Sequence, residues 1–272
     1  MDPIIEKLVK LKGIDQRTPE WFAARADRFS ASDYSAILPN VPELSIYYYN
    51  FLQESCNLNE KQLAKIKEKV SKQKFLNPYK SCGHHILEKV DPSLSPRFSN
   101  TLTAWGTKHE DTVKQIYKEK TGYDIIDVGF YMHDKYNFIG ASPDGLIKQI
   151  PKCVEIKCPK ARKFNKNDPV PLVYWCQMQL QMEVIDLDEC IYIECYLKEE
   201  PTIENPDNVT VENFHVVNVP RSKAFFSEAL KHLEIAYNTV QVLKLLKESD
   251  PSFVDTYKNI FIKENDPYFK TR

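Results

Sequence analysis

The stretch that most constrains this chain runs from Ser142 to Lys160. It reads Ser142-Pro143-Asp144-Gly145-Leu146, then a short loop, then Val154-Glu155-Ile156-Lys157-Cys158-Pro159-Lys160. The pattern is that of a hairpin that sets one carboxylate, on a Pro-Asp-Gly turn, beside a Glu and a Lys on a short strand. Strand side chains alternate faces, so Glu155 and Lys157 point one way and Ile156 the other. Two acids and a lysine around one point suit a divalent cation and a water to be activated. A surface hairpin with a cross-strand salt bridge fits the same letters. The rest of the chain has to decide between the two.

With 272 residues, a single core of ordinary size is within reach. The formal charge of −1 means that any nucleic-acid partner must be met by local rather than global positive potential. Seven cysteines without regular spacing argue against a disulfide framework and for a reducing, intracellular compartment. The first residues lack the apolar run of a signal peptide, and no window has membrane-spanning length. A soluble intracellular protein is therefore expected.

Taken in order, Ile4 to Leu11 is a short amphipathic piece. Thr18-Pro19-Glu20 carries the start signals of a helix, which places Trp21 and Arg25 one turn apart on one side. Ser30, Ser32 or Asp33 caps the next helix, and hydroxyls faced by an arginine suit a phosphate as well as an ordinary cap. Residues 40–100 read as a helical insertion with a lysine-rich run from Glu60 to Lys74, a solvated face or a nucleic-acid contact. Cys56, Cys82, His84 and His85 match no standard zinc spacing.

A long helix from about Thr103 to Lys120 leans Glu110 toward its buried side, where either a metal cluster or a salt bridge would answer the charge. Ile125 to Met132 and Phe138 to Ala141 read as two antiparallel strands. Lys152, Lys157, Lys160, Arg162, Lys163 and Lys166 make the densest positive patch, next to the acidic hairpin. The helix from Leu172 to Val184 carries Gln177, Gln179 and Gln181, which cannot all share one face. A buried strand (189–197), an edge strand (212–219) and an amphipathic helix (221–247) come next, then an aromatic tail. The whole reads as one domain, 1–272, with the last helix and tail at about 221–272.

These blocks resemble the lambda-exonuclease, or YqaJ-type viral recombinase, family of restriction-endonuclease-like nucleases. The carriers, in the family's order, are Trp21…Arg25…Ser30-Ala31-Ser32; Ala104-Trp105-Gly106…Glu110; Ser142-Pro143-Asp144-Gly145; Glu155-Ile156-Lys157-Cys158-Pro159; and Tyr174-Trp175-Cys176-Gln177-Met178-Gln179. The resemblance implies an α/β fold with a mixed central sheet flanked by helices. It implies one or two Mg²⁺ or Mn²⁺ ions held by Asp144, Glu155 and the Ile156 carbonyl, with Glu110 assisting. Lys157 would polarise the attacking water, its pKa lowered beside cations, and Gln177 would orient water or scissile phosphate.

By the same resemblance Arg25, Ser30 and Ser32, with Trp21, would receive the 5′-phosphate of a double-stranded DNA end, and Lys160 and Arg162 would touch DNA. The implied activity is 5′-to-3′ exonuclease action on linear duplex in viral or phage recombination, in the host cytoplasm or nucleus, beside a single-strand annealing protein. A homotrimeric ring and a monomer are both known to the family. An endonuclease on the same fold, cutting DNA or RNA, and a non-catalytic DNA-binding scaffold are the competing functions.

Overall fold

The computed structural model describes residues 1–78, 82–94, 101–160, 163–202 and 208–257, with the side chains of 94, 101–103 and 254 outside that description. Helices α1 (Pro3–Leu11), α2 (Pro19–Ala26) and α3 (Ala31–Ile37) open the chain, with strand β1 (Phe29–Ser30) between the last two. Capping chemistry sets where α1 and α2 begin. Asp2 accepts from the Ile4 amide at 2.9 Å, and the Thr18 hydroxyl accepts from the Trp21 amide at 3.2 Å. Pro19 then occupies the first position of α2, where its missing N–H costs nothing.

Helices α4 (Pro42–Glu54), α5 (Glu60–Ser71) and α6 (Cys82–Val90) fill the 40–100 region, and α7 (Thr101–Thr121) comes after it. The insertion is no appendage. Leu44, Tyr48, Leu52, Ile66 and Leu87 bury in the same cluster as Trp175 and Phe225 from the C-terminal half.

Two sheets form rather than the one expected. Strands β3 (Tyr131–Met132) and β4 (Ile139–Ala141) join β1 in the order β1-β4-β3. Strands β2 (Ile125–Ile126), β5 (Gly145–Ile147), β6 (Cys153–Lys157), β7 (Glu189–Glu199) and β8 (Val209–Pro220) form the second, in the order β2-β5-β6-β7-β8. Both are mixed: β1–β4 and β6–β7 run parallel and the remaining pairs antiparallel. Helix α8 (Leu172–Ile185) makes the crossover between β6 and β7 that a parallel pair requires. Helices α9 (Lys223–Ser249) and α10 (Phe253–Tyr257) complete the described fold, and the aromatic tail beyond lies outside it.

The strand expected over Ile125–Met132 is two short strands, one in each sheet. The chain breaks at Gly129 because the N-terminal segment sits on it. A Cβ there would lie 2.3 Å from the Ile14 carbonyl oxygen, and Phe130 and Ile14 exchange backbone hydrogen bonds of 2.7 and 3.0 Å. Only glycine permits that approach.

Alternation along β6 decides the core. Val154 and Ile156 face α7, packing with Trp105, Val113 and Tyr117 and with Ile191 and Ile193 of β7. Each such aliphatic contributes roughly 1.5–3 kcal/mol on burial. Glu155 therefore faces the other way, toward α8. Ser142-Pro143-Asp144 is the whole connection from β4 in one sheet to β5 in the other.

Candidate active site

Glu155 is 0% exposed in the middle of a sheet, so its charge must be answered locally. The Lys157 ammonium pairs with Oε1 from two residues along the strand. The Gln181 side-chain amide, from α8, donates to Oε2 at 2.6 Å. Asp144 is placed by the hairpin itself. Its amide donates to the Val154 carbonyl at 3.1 Å, and its Oδ2 accepts from the Ile156 amide at 2.7 Å. Thus Ile156 meets Asp144 through its N–H, while its side chain belongs to the core beneath.

Burial, followed by the charges of Glu155 and Glu110, pushes Asp144 up to about 8; Lys157 and the Ile156 amide pull the other way. Lys157 is 24% exposed at its side chain and lies 4.8 Å from the Tyr174 ring centroid. Burial opposes its charge, yet Glu155 and Asp144 outweigh that effect and raise its pKa above the ordinary lysine value. The lowered pKa expected from the sequence presumed cations in place. In the protein alone the lysine is held as an ammonium, chiefly by Glu155.

The glutamine whose amide reaches Glu155 is Gln181. Tyr174, Gln177 and Gln181 lie at i, i+3 and i+7, along one stripe of α8. Gln177 is half-buried on that stripe, but the amide that reaches Glu155 belongs to the residue one turn later. Gln179 faces away, donating to the Pro220 carbonyl at 3.0 Å and accepting from the Ser222 amide at 2.6 Å, which ties α8 to the start of α9.

Glu110 is paired with two cations. Lys114, one turn on, donates to Oε1 at 2.8 Å, and Arg17 reaches Oε2 at 3.3 Å. It flanks an open cavity of about 330 Å³ lined by Asp15, Arg17, Lys114 and Asp127, and its charge is felt at Asp144.

Among the described residues no group of three or more His, Cys, Asp and Glu stands ready-made for a metal. The donor set nevertheless fits a hard divalent cation. Asp144 and Glu155 supply carboxylate oxygens close enough to repel each other. The buried Gln181 Oε1, on the amide that holds Glu155, has no hydrogen-bond partner among the described residues.

The N-terminal residues converge on the same place. The Trp21 indole N–H donates to the Ser142 hydroxyl at 2.9 Å, two residues before Asp144. The Arg25 guanidinium lies 4.4 Å from the Trp21 ring centroid and donates to the Ser32 hydroxyl at 2.9 Å. Ser30 and Ser32 hydroxyls are 3.1 Å apart, and Ser30 also donates to Asp33 at 2.7 Å. Register explains the meeting: β1 pairs Ser30 with Gly140 of β4, so the pocket's strand runs beside the one that leads into Ser142.

Gln16, not singled out in the sequence, clasps the same turn by donating to the Val128 and Pro143 carbonyls, each at 3.0 Å. Nothing in the local pattern marks it, because both partners are distant in sequence. Lys160 lies 4.4 Å from the Trp105 ring centroid and 3.6 Å from Glu199; Arg162 falls outside the described residues.

Known proteins share this sequence pattern and this architecture. An uncharacterized protein of Acanthamoeba polyphaga mimivirus is 29% identical over 144 residues, covering 47% of this chain and 26% of that protein. The chain thus spans about a quarter of that curated relative. Among solved structures, the alkaline exonuclease LHK-Exo of Laribacter hongkongensis superposes with a TM-score of 0.56 at 19% identity, over 87% of this chain and 100% of the other. The same enzyme has been solved in complex with dAMP, at 20% identity, with the same TM-score and coverage. A phage-related exonuclease of Haemophilus somnus gives a TM-score of 0.54 at 12% identity, over 82% and 96% of the two chains. At these identities the likeness speaks for the fold. The family model for the YqaJ-like viral recombinase domain matches residues 20–188, which takes in Trp21, Arg25, Asp144, Glu155, Lys157 and Gln181. The chain belongs to the YqaJ-like viral recombinase domain family.

Proposed function

We propose that this protein is a Mg²⁺-dependent nuclease that degrades one strand of linear double-stranded DNA from its 5′ end. The observation that carries the reading is the convergence of Asp144, Glu155 and Lys157 at one hairpin, with Gln181 behind them and the Arg25–Ser32 pocket hydrogen-bonded to the same turn through Trp21 and Ser142. Asp144 and Glu155 would hold the cation, which supplies charge neutralisation at the scissile phosphate.

The chain's own residues then divide the work. Gln181 fixes one oxygen of Glu155 so that the other addresses the site. Lys157, held as an ammonium, donates to the attacking water or to a phosphate oxygen and gathers developing negative charge. Arg25 with the two serines offers a fork and hydroxyls to a terminal phosphate. A place for the phosphate of a chain end favours exonuclease over endonuclease action. That the related alkaline exonuclease was solved with dAMP fits a nucleotide product.

A gel time course on 5′-phosphorylated linear duplex and on closed circular duplex of the same sequence tests this. Mononucleotide release from the linear form alone, dependent on Mg²⁺ and lost in Lys157→Ala, is the expected result. Equal cutting of circles would refute the exonuclease reading, and full activity of Lys157→Ala would refute the site.

A further inference from the structure

The pocket around Arg25 contains a second, half-buried cation that the sequence does not mark. Lys89, near the end of α6 in the 40–100 insertion, is 13% exposed at its side chain. Its ammonium donates to the Arg25 backbone carbonyl at 2.7 Å and stands 3.6 Å from Asp33 Oδ2, the oxygen that also receives the Ser30 hydroxyl. Arg25 and Lys89 each interact favourably with Asp33, and the Arg25 charge works against that of Lys89. Both cations thus lean on Asp33, and Glu88 gives Lys89 further support. Asp33 is shared further, its other oxygen lying 3.7 Å from His85, and Glu88, the remaining acid of α6 here, lies 3.5 Å from that same histidine. Such a group is stabilised by an incoming anion, because a buried cation without full compensation is costly.

We propose that Lys89, which α6 brings to the pocket, is a positioning and specificity residue for the terminal phosphate. This rests on the proposed function for the identity of the anion. Lys89 would act in two ways. It anchors the last turn of α2, from which Arg25 projects, and it adds positive potential that a phosphate dianion feels more strongly than a neutral hydroxyl end. Its amine has one proton beyond those aimed at the Arg25 carbonyl and Asp33. Helix α6 is held for the task by packing against α3 and α9 and by the 2.9 Å ion pair of Asp91 with Lys247.

The test is a binding measurement, independent of cleavage. Fluorescence anisotropy in EDTA would compare 5′-phosphorylated with 5′-hydroxyl duplex ends for the full chain and for Lys89→Met and Lys89→Arg. The wild type is expected to prefer the phosphorylated end, Lys89→Met to lose at least tenfold of that preference, and Lys89→Arg to restore part of it. A preference in Lys89→Met equal to that of the wild type, or no preference in the wild type, would overturn the inference. The nuclease reading is judged separately by cleavage of linear duplex in Mg²⁺, so a protein that discriminates ends in EDTA but cuts nothing would sink that reading and leave this one standing.

Discussion

Replacing Gln181 by Leu removes one hydrogen bond at the candidate site without opening a cavity. Gln181 Nε2 donates at 2.6 Å to a carboxylate oxygen of Glu155, and both side chains are 0% exposed. A hydrogen bond to a charged group contributes about 1.5–3 kcal/mol, and a buried acceptor left without a donor forfeits most of it. We therefore expect a loss near 2–3 kcal/mol. At about 2 °C per kcal/mol for a chain of this size, the Tm falls by about 4–6 °C in a thermal melt followed by circular dichroism. Glu155 also loses the partner that fixes its orientation. Residues in that role commonly change activity by roughly 10–100-fold, so kcat on linear duplex should drop within that range. Gln177→Leu is the control, one turn earlier on the same stripe and half-buried, and should stay within about 0.5 kcal/mol of wild type. If Gln177→Leu were the more damaging change, or Gln181→Leu shifted Tm by less than about 1 °C, assigning the supporting amide to Gln181 would be wrong.

Asp144 gives a pH signature in the metal-free protein. Its folded pKa, pushed up to about 8 mainly by burial, exceeds the ordinary carboxylate value of 3.8, so the stability it contributes is complete below the latter and is lost as pH rises toward the former. Tm measured in EDTA should accordingly decline between about pH 5 and 8, and Asp144→Asn should flatten that decline; an unchanged slope would contradict the burial argument. Gly140→Ala tests the seam of the three-stranded sheet, because a Cβ there would lie 2.1 Å from Phe130 Cζ and Phe130 is itself pinned against Ile14. A loss of at least about 2 kcal/mol is expected by denaturant titration, and a variant as stable as wild type would show that the ring moves freely.

What was legible in the sequence was what depends on near neighbours. The hairpin that carries Asp144, Glu155 and Lys157 is closed by residues a few positions apart, and caps such as Thr18 act within one turn. Partner identities across the fold were not legible. The lysine that neutralises Glu110 stands at i+4 and was open to reading, but Arg17 arrives from another segment. Gln177 and Gln181 present the same chemistry on the same stripe of α8, so only the depth at which α8 crosses β6 selects between them. The split into two sheets turns on strands of two residues, β1, β2 and β3, which carry no periodicity of their own. Lys89 was invisible for a related reason, because its partners Arg25 and Asp33 lie far from it in sequence.

The division into two sheets also bears on how the proposed end recognition and cleavage would relate. The pocket is built on β1, in the three-stranded sheet, and the carboxylates lie just before β5 and on β6, in the other. Only Ser142, Pro143 and Asp144 join β4 to β5, and each of the first two is clamped from the N-terminal segment, Ser142 by Trp21 and Pro143 by Gln16. At about 3.3–3.6 Å per extended residue, Ser142 and Asp144 are no more than about 7 Å apart along the backbone. A DNA strand advances about 3.4 Å per nucleotide in B-form duplex, so the rim of the pocket lies within about two nucleotides of Asp144. A site so spaced suits removal of the terminal nucleotide or a very short piece, and it leaves little slack for the two halves to drift. The short connection thereby does for the proposed exonuclease what a flexible loop could not, fixing the point of cleavage by the position of the bound end.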